Sequence, residues 1–129
     1  MESLNLAQQI AEEVQDTKGK EIEILDLKKL VSFTDYFILV SGTSDRHVQA
    51  IADRVNLRLK KDLGRLPMNF EGYASAQWVL LDYGDVVLHV FRPEQREYYG
   101  LDDFWVQAPR IRLPKAAKKI NSEKSAEQI

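Results

Sequence analysis

The sequence of 129 residues contains no cysteine, which excludes a disulfide framework and any zinc or redox site built on cysteine. Long hydrophobic runs are also missing, because no apolar stretch approaches the ~18 residues of a membrane-spanning helix. The first residues, MESLNLAQQIAEEV, are acidic and lack the basic start and apolar centre of a signal peptide. We therefore expect a cytoplasmic protein with no membrane partner.

Acidic residues outnumber basic residues in most of the chain, and basic residues outnumber acidic residues at its end. Residues 1–107 have a net charge of −6, whereas residues 108–129 have a net charge of +4, which together give −2. The acidic body disfavours a nucleic-acid-binding core, since phosphate contacts need a basic surface, and it suits a basic protein partner or only solubility. The basic end has two prolines and few large apolar residues. We therefore predict one domain over residues 1–107 and a flexible tail over residues 108–129.

Hydrophobic periodicity predicts the element order helix, strand, strand, helix, strand, strand, helix. The two long helices have apolar stripes formed by Leu4, Ala7, Ile10, Ala11 and Val14 and by Val48, Ile51, Ala52, Val55 and Leu59. Strands are predicted over residues 21–27, 34–40, 77–83 and 86–91, with a turn-like segment over 66–76. A third helix begins at Pro93 and has a weak point at Gly100. The order indicates an α/β fold: a single domain with a mixed β-sheet flanked by helices, in which the late hairpin is antiparallel and the second helix can link a parallel pair.

The stretch SGTS, residues 41–44, follows an apolar strand and precedes a helix, which is the outline of a phosphate-binding loop. The two established glycine patterns, G-x-x-x-x-G-K-[ST] and G-x-G-x-x-G, are absent. A structural interpretation is simpler: Gly42 supplies the turn, Ser44 caps the helix, and Asp45 favours its first turn.

A nucleotidyltransferase-like enzyme would need paired carboxylates that hold magnesium beside this turn. The candidates are Asp26, Asp82 and Asp85, but the last two are only three residues apart across a tight turn and are not expected to converge on one ion. His47 could act as a base but has no obvious partner, and His89 lies inside a predicted strand. We therefore predict structural or surface roles for both histidines, and we predict no catalytic residue, metal or cofactor.

The segment WVLLDYGDVVLHVF predicts a hairpin whose turn is Gly84-Asp85. One face pairs Tyr83 with Val86, Leu81 with Leu88 and Val79 with Val90, and the other pairs Asp82 with Val87, Leu80 with His89 and Trp78 with Phe91. We assign the first face, which is apolar except for one phenol, to the core. The second face mixes aromatic, aliphatic and polar side chains. That mixture is typical of a protein-binding hot spot, unless a helix covers it as ordinary packing.

Three stretches, TDYFILVSGTSDRHVQAIADRV, EGYASAQWVLLDYGDVVLHVF and EQREYYGLDDFW, closely resemble the ribosomal silencing factor family, also called Iojap-like. The resemblance covers roughly residues 3–106. It implies a nucleotidyltransferase-like topology without the catalytic acids, and a protein that is not an enzyme. It further implies a translational repressor that binds the large ribosomal subunit at large-subunit ribosomal protein fourteen. There the family blocks joining of the small subunit sterically, typically when nutrients are short.

The resemblance and the mixed hairpin face together imply a partner-binding set of Trp78, Leu80, Asp82, Leu81, Tyr83, His89 and Phe91. Trp78, the tryptophan of the family's W-V-L-L-D strand, is expected to anchor the partner, with Leu80 adding apolar area. Asp82 is expected to accept hydrogen bonds from basic side chains of the ribosomal protein. Leu81 and Tyr83 carry less weight, because the face assignment points them inward.

Two further partners follow from the same resemblance and from the charge pattern. An exposed apolar face rarely stays uncovered, and family members are often homodimers, so the same patch could bind a second copy of the chain. The basic tail could add weak contacts to ribosomal RNA, or it could be only a solvated terminus. Two other functions stay open: a nucleotidyltransferase-like, nucleotide-binding enzyme, and a dimeric interaction module with a different partner.

Overall fold

The computed structural model describes residues 2–114, whose helices and strands follow the hydrophobic periodicity of the sequence. In chain order the elements are α1 (Ser3–Asp16), β1 (Lys20–Asp26), β2 (Tyr36–Ser41), α2 (Asp45–Leu63), β3 (Asn69–Glu71), β4 (Trp78–Asp82), β5 (Val86–Phe91), α3 (Pro93–Tyr99), α4 (Leu101–Phe104) and β6 (Arg110–Ile111). No helix within residues 2–114 is both long and apolar enough to cross a membrane.

The described strands form a six-stranded sheet in the order β3-β4-β5-β2-β1-β6. Strands β2 and β5 pair in parallel, with Tyr36 opposite Val86 and Ser41 opposite Phe91, and the other neighbours pair antiparallel. Both of these central strands are buried at every position, which fits their continuous apolar sequences. The predicted α/β fold with a mixed sheet is confirmed, and the parallel partner of β2 is β5, which the chain reaches through α2, β3 and β4.

Helices α1 and α2 pack beside each other on one face of the sheet. Their predicted apolar stripes are buried against alternate residues of β1, β2, β4 and β5, in a core that includes Ile10, Val55, Ile24, Ile38, Leu81 and Leu88. Helix α2 begins where the sequence predicts, since Ser44 Oγ accepts a hydrogen bond from the backbone N–H of His47 at 3.0 Å. It ends at Gly64, whose left-handed conformation (φ 64°) suits glycine.

Two elements differ from the prediction. Strand β3 lies in the segment predicted to be turn-like and pairs with β4 at one edge of the sheet. Its three residues are too few for alternation to be recognised in the sequence. The third helix is in fact two helices, because Gly100 adopts a left-handed conformation (φ 60°) that ends α3 and redirects the chain into α4.

The beginning of the predicted tail belongs to the fold. Ala108 is buried, and Arg110 and Ile111 form β6, which pairs with Leu25 and Ile24 of β1. The predicted boundary after residue 107 is therefore too early, because a two-residue strand between prolines gives no periodic signal. Residues 115–129, the rest of the predicted tail, lie outside the described part of the chain.

Candidate functional site

The β4–β5 hairpin has the register that the sequence predicts. Because side chains alternate along a strand, three cross-strand pairs share the face of the sheet opposite α1 and α2. These pairs are Trp78 with Phe91, Leu80 with His89, and Asp82 with Val87. Gly84 forms the turn with a φ of 91°, which glycine adopts without strain.

Leu81 and Tyr83 lie on the helix-covered face, as the sequence pattern indicates, and are the least accessible members of the predicted partner-binding set together with Phe91. Leu81 is fully buried in the core beneath the helices, and Tyr83 is 3% exposed. Burial also raises the pKa of the Tyr83 phenol to about 12. A partner could reach either side chain only by displacing a helix, so their roles are structural.

The face opposite the helices carries a continuous row of rings. We call it the aromatic face; it consists of Phe33, Phe37, Trp78, His89, Phe91, Tyr99 and Trp105. The Trp78 ring centroid lies 4.6 Å from that of Tyr99 and 5.1 Å from that of Phe91. The Phe37 and His89 centroids are 4.5 Å apart, in an edge-to-face arrangement. Contacts of this geometry stabilise an aromatic cluster beyond the burial of area alone.

A hydrogen bond fixes the Trp78 indole within this face. Its Nε1–H donates to Nδ1 of His89 at 3.1 Å. Burial lowers the pKa of His89 to about 4, against a smaller opposing effect of the Asp82 carboxylate. The imidazole is therefore neutral at neutral pH, and Nδ1 is free to accept. The sequence predicts that Trp78 and His89 share a face, although it does not predict this bond between diagonal neighbours.

Helix α3 covers only one end of the aromatic face. Tyr99 packs on the Trp78 indole, and Phe91 is 1% exposed. At the other end, Leu80 and Asp82 are half-buried and border an open cleft. Ordinary packing under a helix therefore accounts for Phe91. His89 is buried among the rings of Phe37, Trp78 and Phe91 at the border of the cleft, while Trp78, Leu80 and Asp82 remain partly accessible.

Large apolar side chains are exposed around this face: Leu30, Phe33, Met68, Tyr98, Tyr99, Phe104 and Val106. Phe104 is 72% exposed and Phe33 is 66% exposed. Contiguous apolar exposure of this kind is typical of surfaces that bind a partner. Sequence periodicity does not find these residues, because they lie in loops and at helix ends, where no period separates exposed from buried positions.

Arg96 holds the α3–α4 corner against the sheet, and it was not among the predicted residues. Its Nε and Nη2 donate to the two carboxylate oxygens of Asp102 at 2.9 and 2.8 Å. Its Nη1 donates to the Glu21 carbonyl at 2.6 Å and to Ser41 Oγ at 3.0 Å. The hydrogen bonds from Arg96 lower the pKa of Asp102, so the pair stays charged at neutral pH. This cross-link positions Tyr99 and Trp105 over the sheet.

The glycine turn uses its polar groups inside the protein. The Gly42 N–H donates to the Phe91 carbonyl at 2.8 Å, and the Thr43 N–H donates to Nδ1 of His47 at 2.8 Å. Nε2 of His47 lies 2.7 Å from the Thr17 carbonyl, to which it donates because Nδ1 already accepts. The predicted structural role of His47 is confirmed, and two amides that could cradle a phosphate are occupied.

Gly42 is needed for packing and not for an unusual backbone conformation. It is not among the residues with a positive φ, but a Cβ at this position would meet Cγ2 of Val48 at 2.7 Å. The turn is therefore tight because α2 approaches the end of β2 closely, which corrects the predicted reason for this glycine.

The acidic residues considered for magnesium have separate partners. Asp85 pairs with Arg65 at 3.2 Å, and Asp26 accepts a hydrogen bond from the Lys28 N–H at 3.0 Å. Asp82 lies on the aromatic face, beside the turn of the hairpin. Within residues 2–114, no group of three or more His, Cys, Asp or Glu side chains is arranged to hold a metal ion.

Comparison with known proteins gives one consistent result. The family model "Ribosomal silencing factor during starvation" matches residues 1–129. The ribosomal silencing factor RsfS of Chromobacterium violaceum is 40% identical over 105 residues, which cover 81% of this chain and 85% of that protein. RsfS of Halalkalibacterium halodurans is 36% identical over 113 residues, which cover 88% of this chain and 96% of that protein.

More distant and structural relatives agree. Mitochondrial assembly of ribosomal large subunit protein 1 of Mus musculus is 30% identical over 92 residues, which cover 67% of this chain and 39% of that protein. A crystal structure of a Chromobacterium violaceum protein superposes with a TM-score of 0.79 at 38% identity, covering 92% of this chain and 98% of that one. The chain therefore belongs to the family of ribosomal silencing factors.

Proposed function

We propose that this chain represses translation by docking its aromatic face on the large ribosomal subunit, through large-subunit ribosomal protein fourteen. The bound domain then sterically blocks joining of the small subunit. The mechanism needs no turnover and no cofactor, and we expect it to operate in the cytoplasm. Family membership supports ribosome-associated regulation, and the relative named for assembly of the ribosomal large subunit supports that subunit as the site.

The observation that carries the proposal is the exposed aromatic face around a fixed tryptophan. Trp78 is half-buried, packed against the rings of Phe91 and Tyr99 and oriented by its hydrogen bond to His89. A rigid aromatic anchor surrounded by apolar side chains is the usual composition of an interface hot spot. The acidic body of the chain suits a basic ribosomal protein and disfavours binding to bare RNA.

Co-sedimentation of the purified chain with isolated large subunits tests the proposal, with Trp78→Ala beside the wild type. We expect the wild type to pellet and to block small-subunit joining, and we expect Trp78→Ala to weaken both effects by at least about 30-fold, as for a hot-spot residue. Leu57→Ala is the matched control, because Leu57 is an exposed apolar residue on α2, on the opposite side of the sheet. Circular dichroism confirms that each variant is folded.

Three results contradict this proposal in different ways. A wild type that stays in the supernatant removes the ribosome as partner, and magnesium-dependent nucleotide binding then becomes the function to test. If the wild type pellets with the subunits and Trp78→Ala binds equally tightly, the ribosome remains the partner but the aromatic face is not the contact. Loss of binding in Leu57→Ala alone moves the contact to the helix side.

We also propose that the free chain forms a homodimer through the same face. Because both uses bury Trp78, self-association and ribosome binding compete. Light scattering measures the mass of the free chain as its concentration rises, and Trp78→Ala is expected to remain monomeric. A wild type that is monomeric at every workable concentration contradicts the homodimer without affecting the proposed ribosomal contact.

A further inference from the structure

His89 has a second hydrogen-bonding group that the contact with Trp78 leaves unused. Because Nδ1 accepts the indole N–H, the neutral imidazole carries its proton on Nε2. His89 is 4% exposed, and within the described residues its Nε2 has no hydrogen-bond partner. A buried donor without an acceptor is costly in free energy, and an acceptor supplied by a binding partner would recover that cost.

This histidine lines a cleft at the accessible end of the aromatic face. The cleft has a volume of about 270 Å³, and its other walls include Phe33, Phe37, Leu80, Asp82 and Val87. Sites for drug-sized molecules usually have about 300–1,000 Å³, so this cleft suits a single long side chain better than a cofactor. We call it the Asp82 cleft.

Asp82 gives the cleft a negative charge. Its carboxylate accepts hydrogen bonds from the Gly84 N–H at 2.8 Å and from the Asn69 side-chain amide at 3.3 Å. Among residues 2–114, no Lys, Arg or His side chain forms an ion pair with it. A carboxylate beside apolar walls fits a basic side chain, whose aliphatic stem packs on the walls while its charged end meets the carboxylate.

We propose that the Asp82 cleft receives a lysine or arginine side chain of the ribosomal partner, while His89 Nε2–H donates a hydrogen bond to a backbone carbonyl of the same segment. The proposal rests on the proposed function and assigns the chemistry of the contact: a basic protein segment. An RNA phosphate would be repelled by Asp82 at this place. Because Phe33 lines the cleft and its ring is largely exposed, we expect this ring to move when the carbonyl enters.

Two substitutions of His89 distinguish the hydrogen-bonding roles of its two nitrogen atoms. In His89→Asn the amide oxygen can replace Nδ1 as the acceptor for Trp78, but no group remains near the position of Nε2. In His89→Gln the longer amide can place an N–H near Nε2, but the acceptor for Trp78 is lost. Titration with isolated large subunits in the sedimentation assay gives the affinity of each variant, and the thermal midpoint shows whether the domain is folded.

We expect His89→Asn to weaken binding about tenfold and His89→Gln to weaken it less, because the partner's carbonyl keeps a donor only in the second variant. Wild-type affinity in His89→Asn overturns the proposal. A greater loss in His89→Gln than in His89→Asn also overturns it, since His89 would then act only by orienting Trp78. If the wild type itself does not bind the subunit, the proposed function fails first, and that outcome is seen in the same experiment.

A measurement on the wild type covers the case in which either variant unfolds. The Nε2–H proton of His89 is followed by NMR while the isolated ribosomal protein is added. We expect its signal to move downfield and its exchange with water to slow, as for a donor that gains an acceptor. Binding that leaves this signal unchanged overturns the contact at His89.

Asp82→Asn tests the charged end of the cleft. The asparagine oxygen can still accept from the Gly84 N–H, so the hairpin turn is kept while the negative charge is removed. We expect weaker binding at low salt and a smaller difference from the wild type at high salt, because salt screens the lost attraction. If Asp82→Asn and the wild type bind the subunit with equal affinity at low salt, the cleft does not receive a basic side chain.

Discussion

The two faces of the sheet are made by the same strands but are covered very differently. On one face, α1 and α2 have 14 and 19 residues and bury their apolar stripes against the strands, with only Leu4 of these stripes partly exposed. On the other face, α3 and α4 have only 7 and 4 residues and leave aromatic side chains in contact with solvent. Burial of apolar area is the main source of stability. The helix side is therefore expected to carry most of the stability, whereas the proposed function assigns recognition to the aromatic face.

The neighbours Leu81 and Leu80 give the sharpest test of this division, because they point to opposite faces of β4. Leu81 is fully buried in the helix-side core, so Leu81→Ala should lower the free energy of unfolding by about 3 kcal/mol. Leu80 is only half-buried, so Leu80→Ala should lower it by about 1 kcal/mol and should weaken binding to large subunits instead. Urea unfolding and co-sedimentation of both variants measure the two quantities.

Equal losses of stability would contradict the division of roles between the two faces. So would a Leu81→Ala variant that remains folded, at a temperature well below its unfolding midpoint, but binds the subunit more weakly than Leu80→Ala. Either result would mean that the two faces are energetically coupled through the sheet.

The pH dependence of stability probes the aromatic face through His89. Burial lowers the pKa of His89 from its ordinary 6.5 to about 4 in the folded chain. In the unfolded chain, His89 therefore becomes protonated at a higher pH than in the folded chain. The stability that the neutral, buried His89 contributes is complete above about pH 6.5 and is lost as the pH falls toward about 4. Between pH ~7 and pH ~5, the free energy of unfolding should fall by about 2 kcal/mol from this group.

Carboxylates titrate in part of the same range, so the comparison with a variant isolates the histidine. Urea unfolding of the wild type and of His89→Asn across this pH range gives the difference, which should shrink as the pH falls. Parallel pH profiles would show that His89 is not buried in a neutral form under the aromatic rings.

Substitution of Arg96 tests what holds the short helices α3 and α4 against the aromatic face. Arg96→Met keeps an apolar stem but removes the hydrogen bonds to Asp102, to Ser41 and to the Glu21 carbonyl. Because Asp102 is partly exposed, we expect a modest loss of about 1–2 kcal/mol. Hydrogen exchange should become faster in α3 and α4 and stay unchanged in α1 and α2. A uniform increase across the whole domain would mean that the corner and the helix side unfold as one unit.

Sequence reasoning predicts features that depend on a regular spacing of apolar residues, and it misses features that do not. The register of the β4–β5 hairpin and the stripes of α1 and α2 follow from alternation and helical spacing, and all of them are confirmed. The exposed ring of Phe104 and the cross-link made by Arg96 depend on the break at Gly100, which sets the position of α4. Such contacts join residues that are distant in the chain, so no local period encodes them. The sequence therefore predicts only those residues of the candidate site that lie on strands.

Truncation at the end of the chain is expected to have the smallest effect on stability, and it is the last test of the comparison between the two faces. Ala108 packs in the cluster under the aromatic face, and Ile111 and Leu113 pack against the helix-side core, so residues 108–113 contribute to both. The carbonyl of Pro114 accepts a hydrogen bond from Gln15 at 3.0 Å. A chain that ends after Gln107 should therefore be clearly less stable, whereas the sequence prediction of a flexible tail leads us to expect that one ending after Pro114 keeps its stability within about 0.5 kcal/mol.

The same truncation after Pro114 tests the proposed contact of the basic tail with ribosomal RNA. Residues 115–129 carry four Lys against two Glu, so RNA phosphates could attract them only weakly. We expect the affinity for large subunits to fall by less than about threefold and its salt dependence to change little, because the proposed main contact is the aromatic face. A large loss of affinity with a shallower salt dependence would show that the tail binds RNA. Recognition would then be divided between an aromatic protein contact and an electrostatic RNA contact.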